Sequence, residues 1–328
     1  MTTASRTELL RTALDHALDG AADVAPAVSA VVWKAGVELY ARAPDQVFDL
    51  ASLTKPLCTA EVAMTAVDAG ALSLDAGHAL LPRGVTIAQL LQHAAGYPAW
   101  RSLWEEGSRA DILRSAIATP RPSAPGSLPG SGAHLYSDLG FLALGAVLEE
   151  VGGARLDELW EGPLRWGDPA AAPTFCEERG REIVGTVHDR NAAAMGGVAP
   201  HAGLFGSARE VASTASRWMM GDVPMSYVAF ARRGPGTHVL GWDTPNDDGT
   251  SSAGPRPPAG AFGHLGFTGT ALWMVPARGI VAVLLTNRVH ARGGPAPIRA
   301  LRRSFFQAAW DGLDPAAREP TPGPAGTR

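Results

Sequence analysis

Strand-forming runs lie at the two ends of this 328-residue chain, with a long helical stretch between them. Residues 27–33 are dense in Val and end in Trp, Lys34-Ala35-Gly36 turns the chain, and residues 37–40 return as a hairpin. Residues 270–275, a Pro276-Ala277-Arg278-Gly279 turn and the apolar run 280–285 predict a second, longer hairpin. Helical patterns fill most of the space between: 52–70, 87–91, 111–113, and 139–151, the last capped by Ser137 or Asp138 and stopped at Gly152-Gly153. Such a chain folds economically in one way, as an α+β protein whose antiparallel sheet is assembled from both chain ends and flanked by helices. The expected division is a sheet lobe of residues 1–60 plus 205–312, a mostly helical inserted lobe of 61–204, and a disordered tail at 313–328. Helices at both termini close the picture, one carrying Leu10, Leu14 and Leu18 behind a Ser5–Glu8 capping box, the other spanning 298–310. Residues 120–132, rich in Pro, Gly and Ser, read as a surface loop.

Composition excludes several classes of function. A net charge of -4 without a Lys/Arg block argues against nucleic acid. The longest apolar run, 280–285, is far short of a membrane span. Two cysteines, Cys58 and Cys176, make no disulfide framework, and the N-terminus lacks the basic and apolar regions of a signal peptide, so a cytoplasmic, soluble protein is expected. There is no Gly-x-Ser-x-Gly, His-Glu-x-x-His, Gly-x-Gly-x-x-Gly or phosphate-loop motif, and no cofactor is expected.

Against that background one residue stands out. Of 28 basic residues only two are lysines, and Lys55 follows Ser52 by three positions at a predicted helix start, with Pro56 in the first turn. Arginine stays charged, whereas a buried lysine can give up its proton and take one from a neighbouring hydroxyl. The plainer reading makes Ser52 a cap and Lys55 a solvated first-turn residue, although a cation there faces the unfavourable end of the helix dipole. Tyr136, in Tyr136-Ser137-Asp138, is either a staple at a helix entry or a catalytic hydroxyl. The third stretch is Phe262-Gly263-His264-Leu265-Gly266-Phe267-Thr268-Gly269-Thr270, whose glycines at a strand suggest either close approach of a ligand or a simple bulge with a surface histidine.

Together, Ser52-Leu53-Thr54-Lys55, Tyr136-Ser137-Asp138 and His264-Leu265-Gly266 resemble the Ser-x-x-Lys, Tyr-x-Asn and Lys/His-Thr-Gly elements of the class C β-lactamase-like serine hydrolases. That family includes penicillin-binding D,D-peptidases, D-aminopeptidases and carboxylesterases. The resemblance extends over residues 25–310 and implies the β-lactamase/transpeptidase-like fold. It implies that Ser52 forms an acyl-enzyme, that Lys55 and Tyr136 move its proton, and that the backbone N–H groups of Ser52 and Phe267 make an oxyanion hole. Asp138, His264 and Gly266 would contact the substrate, a small ester, amide or peptide-like molecule.

Three departures bear on chemistry. Asp138 replaces an amide donor with a carboxylate, which favours a charged Lys55 that works by stabilising a Tyr136 phenolate, with Tyr136 as general base. His264 replaces a lysine, and Leu265 a hydroxyl that would bind a substrate carboxylate. The expectation is esterase-like or D-amino-acid amidase activity with weak β-lactamase activity. A catalytically weak penicillin- or muropeptide-binding protein, and an acyltransferase on the same residues, are the alternatives. His188, Asp189 and His201 could be read as metal ligands, but isolated loop histidines are more often structural, so no metal is expected. His93 is expected to organise its loop by hydrogen bonding, and residues 187–205 to line the site.

Overall fold

The structure, a computed structural model, describes residues 3–121, 134–246, 248–292 and 294–313. Among the described residues ten strands follow one another: β1 Val28–Lys34, β2 Val37–Arg42, β3 Val47–Asp49, β4 Arg165–Trp166, β5 Thr174–Cys176, β6 Arg181–Ile183, β7 Leu204–Ser207, β8 Phe262–Leu265, β9 Ala271–Val275 and β10 Ile280–Thr286. The main sheet has the order β2-β1-β10-β9-β8 with every pair antiparallel, so the two chain ends meet where β1 pairs with β10. The first hairpin turns on Ala35 and Gly36, both at positive φ, which matches the right-handed twist of its strands.

β10 is buried along its whole length, and its side chains alternate between two cores. Val281, Val283 and Leu285 join the core beneath the middle helices, while Ile280, Ala282 and Leu284 face the terminal helices Thr3–Ala17 and Pro295–Leu313. Burial on both faces explains why this strand reads as a continuous apolar run rather than an alternating one. Leu10, Leu14 and Leu18 pack against the second face as their spacing predicts. The first helix already begins at Thr3, however, so Ser5 and Glu8 lie inside it and are not its cap.

The middle of the chain differs from the sequence reading in holding short strands as well as helices. β3, β7 and β4 form a three-stranded sheet, and β5 pairs with β6. Strands of two to four residues carry too little periodicity to be seen in a sequence. The β3–β7 pair runs directly into the Ser52 turn and so connects it to the 187–205 stretch. The helix expected from 52 to 70 is also broken up: a 3-10 turn Ala51–Leu53, a π turn Lys55–Thr59, then α-helix Ala60–Asp68. Pro56 has no N–H for a regular ladder, and single π turns recur where a helix serves a site. The surface loop expected at 120–132 falls almost wholly, and the disordered tail beyond Leu313 wholly, outside the described residues. No helix among the described residues is long and apolar enough to cross a membrane.

Candidate active site

Ser52 is presented by a strained turn. Ala51, just before it, has φ 48°, a conformation that disfavours a side chain, and Asp49 holds it there. The Asp49 carboxylate accepts Ala51 N–H at 2.8 Å through one oxygen and His188 N–H at 2.7 Å through the other. Burial pushes its pKa up to about 6 despite these two bonds. The same turn is tied to the main sheet: Thr268 donates to the Asp49 carbonyl at 2.7 Å and Thr270 to the Leu50 carbonyl at 3.0 Å. Gly266 must be glycine, because a Cβ there would lie 2.0 Å from Thr270 Oγ1 and 2.6 Å from the Leu50 carbonyl. These ties place the β8 edge beside Ser52. In Asp49→Asn one acceptor becomes an N–H donor facing another donor, so a loss of about 1–3 kcal/mol of stability is expected in denaturant unfolding, with reduced turnover.

Lys55 is fully buried. Its Nζ donates to Ser52 Oγ at 3.0 Å and to the His201 carbonyl at 3.1 Å, and pairs with Asp138 Oδ1 at 2.6 Å. Burial lowers its pKa, but the charge of Asp138, followed by the interaction with Tyr136, outweighs burial, so the amine is held above its usual value. The solvated first-turn reading is therefore excluded. Tyr136 hydrogen-bonds both Lys55 and Ser52, and the ammonium lies 4.9 Å from the centre of its ring. Burial raises the Tyr136 hydroxyl more than Lys55 lowers it. This corrects the expectation of a resting phenolate: Asp138 already neutralises Lys55, so no charge is left over to hold a second anion.

The segment carrying Tyr136 is positioned from both sides. His93, at φ 54°, accepts Leu135 N–H on its carbonyl at 3.1 Å and Ser137 N–H on its ring Nδ1 at 3.0 Å, the organising role its sequence context suggests. Ser137 caps helix Asp138–Gly152 by accepting Gly140 N–H at 3.0 Å and donates to the Pro98 carbonyl at 2.6 Å. Asp138 N–H reaches the Ala99 carbonyl at 2.8 Å.

A cavity of about 660 Å³ contains Ser52, Tyr136, Asp138, His264, Gly266 and Phe267 in its lining, with Lys55 behind it. The predicted residues are thus brought together on one site. His188, Asp189 and His201 line it too. His201 Nε2 meets Asp189 Oδ1 at 2.9 Å; burial raises the Asp189 pKa, but the His201 ring outweighs it and holds the carboxyl down to about 2.

Two groups were not anticipated. The first is a set of imidazoles around the Tyr136 ring: His93 at 4.4 Å between centroids, His238 at 5.6 Å and His264 at 5.8 Å, with His134 stacked on His238. Burial holds all four neutral, His264 down to about 3. Ring nitrogens of His93, His238 and His264 lie within 4.8 Å of one another. The donor set does not suit a metal. Ser137 N–H occupies His93 Nδ1 and fixes the ring proton on Nε2, the nitrogen without a partner among the described residues. A ligating histidine instead donates through its second nitrogen, as His264 does to the Leu265 carbonyl at 3.0 Å. The second group is Arg288, Arg299 and Arg302 on the wall beyond β8. Arg302 bonds the Gly266 and Thr270 carbonyls at 2.9 and 2.7 Å, and burial followed by the charges of Arg288 and Arg299 brings it down to about 9. Arg299 and Arg302 share a helix, but nothing in the sequence brings Arg288 to them, so the convergence leaves no signal.

A protein-family model described as Beta-lactamase matches residues 14–304. A putative D-alanyl-D-alanine carboxypeptidase from Salmonella agona is 28% identical over 253 residues, 62% of this chain and 57% of that protein, so the match spans little more than half of the relative's length. Three solved structures share the fold. A β-lactamase from Mycobacterium bovis has a TM-score of 0.65 at 22% identity, covering 90% of this chain and 99% of that one. A class C β-lactamase from Rhodobacter sphaeroides has 0.66 at 18%, covering 90% and 99%. EstCE1, described as a hydrolase with promiscuous acyltransferase activity, has 0.65 at 18%, covering 92% and 99%.

Proposed function

Since the chain belongs to the β-lactamase family, we propose that it is a serine hydrolase that forms an acyl-enzyme on Ser52, esterase-like in preference and weak on β-lactams. The observation that carries this reading is the continuous contact from Ser52 Oγ to Lys55 Nζ at 3.0 Å and on to Asp138 Oδ1 at 2.6 Å. Lys55 first hands a proton to Asp138, and the neutral amine so formed takes the Ser52 proton as Ser52 attacks the acyl carbon. The amine ends the step protonated, and negative charge leaves Asp138 as it appears on the acyl oxygen. Backbone N–H groups of Ser52 and Phe267 receive that oxygen, each worth about 3–4 kcal/mol of barrier. Tyr136, a phenol, donates its proton to the leaving atom and recovers it through Lys55. Water then repeats the sequence to release the acid.

Residues 138, 264 and 265 are a poor match for a β-lactam. Asp138, engaged with Lys55, cannot donate to a side-chain amide carbonyl, and neutral His264 with Leu265 offers no charge or hydroxyl to a ring carboxylate. Nitrocefin turnover is expected at or below about 10⁴ M⁻¹s⁻¹, the bottom of the usual kcat/KM range, and a value near 10⁷ would sink the esterase assignment. The arginines favour a second reading, cleavage of a peptide ending in a carboxylate, as the names of the curated relatives describe for those proteins. Arg302 Nε is buried without a partner among the described residues and repelled by two like charges. Release of D-alanine from a D-Ala-D-Ala peptide faster than hydrolysis of simple esters would select it.

The reading as a whole is tested by intact mass. A fluorophosphonate probe is expected to add one adduct to the wild type and none to Ser52→Ala. An unlabelled wild type would mean a binding protein on the same fold.

A further inference from the structure

Two aromatic walls stand at the mouth of the cavity, each backed by an arginine. The Arg190 guanidinium lies 3.7 Å from the centre of the Trp104 ring, and that of Arg288 lies 4.8 Å from Phe267. Trp100 leans on Trp104 with centroids 5.5 Å apart. The walls are continuous: His188 and Arg190 flank Asp189 in the chain, and the His188 ring lies 5.7 Å from that of Phe267. The tryptophans are held in place from behind. Buried Asn191 accepts Leu103 N–H at 2.8 Å and donates to the Arg101 carbonyl at 2.9 Å.

A single exposed apolar residue means little, but Phe267 at 62% and Trp100 at 47% exposure share one cavity with the nucleophile. A guanidinium over a ring restrains it. Rings already held still lose little freedom when a flat apolar group stacks on them. Orientation follows from the chemistry. The leaving atom must face its proton donor Tyr136, and therefore the His238 and His264 side. The acyl substituent is then left to the rest of the lining, which includes Trp100, Trp104 and Phe267.

Resting on the acyl-enzyme reading above, we propose that Trp100, Trp104 and Phe267 form an acyl-side subsite for a planar aryl or arylalkyl group, which makes aryl-bearing esters the preferred substrate class. The test compares p-nitrophenyl acetate with p-nitrophenyl phenylacetate, which share a leaving group. Wild type is expected to favour phenylacetate at least tenfold in kcat/KM. Trp104→Ala is expected to cut that preference about tenfold, mainly through KM. Arg190→Ala, which leaves the ring but removes its backing, is expected to lie between, with circular dichroism confirming that both variants fold. No aryl preference in wild type, or equal losses on both esters in Trp104→Ala, would overturn the subsite. Failure of the underlying reading looks different: Ser52 goes unlabelled and neither ester turns over.

Discussion

Lys55→Met is expected to lower ester hydrolysis about 10³-fold or more and to destabilise the fold by about 3–5 kcal/mol. Both effects come from one position. The ammonium touches both Ser52 Oγ and Asp138, so methionine cuts the proposed proton route at its middle. It also leaves Asp138 facing a buried apolar side chain, and an unpaired buried charge costs more than the pair contributed. The two effects separate in Lys55→Met/Asp138→Leu. Removing both partners is expected to restore most of the stability, as measured by urea unfolding, while hydrolysis stays lost. A double variant that is no more stable than Lys55→Met would mean that the ion pair does not hold this part of the fold. Lys55→Arg is a stricter comparison: the charge remains, but a guanidinium cannot hand its proton back and forth, so stability should recover further than activity.

The two hairpins and the Ser52–Lys55 pair were legible because each is local. Ser52 and Lys55 share one turn, and each hairpin carries its own alternation and turn residues. Tyr136 and His264 were legible as motifs but not as neighbours, since only the fold brings them to one cavity. The state of Tyr136 was misread for an electrostatic reason. A lysine beside a tyrosine suggests a phenolate, yet the charge at Lys55 is already matched by Asp138, and burial decides the rest. Asp49 gave no signal, and Thr268 and Thr270 were legible only as part of a glycine-studded strand entry. Their work is to tie the nucleophile turn to a strand more than 200 residues away, through hydrogen bonds that have no sequence period. The histidines around Tyr136 were hidden because His93, His238 and His264 come from distant segments, and the arginine wall because Arg288 joins Arg299 and Arg302 only through the packing of their helix.

Asp138→Asn is expected to restore the residue type common in the family and yet to impair this enzyme. Asparagine cannot accept the proton that Lys55 passes on, so kcat/KM at neutral pH is expected to fall about 10²-fold. The stability signature carries a definite sign. In the wild type Lys55 is held above its unfolded value, so it contributes stability that is fully present below that value and is lost as pH rises through the folded one. With the carboxylate gone, burial is the largest influence left and drives the lysine below its unfolded value. The variant then keeps a penalty at neutral pH, where the unfolded lysine is charged, and recovers as pH rises toward about 10.4. The gap between wild type and Asp138→Asn should therefore be widest near neutrality and narrow through the alkaline range in urea titrations at successive pH values. A gap that is constant with pH would show that Asp138 stabilises the fold through packing alone, and the relay through Lys55 would lose its electrostatic basis.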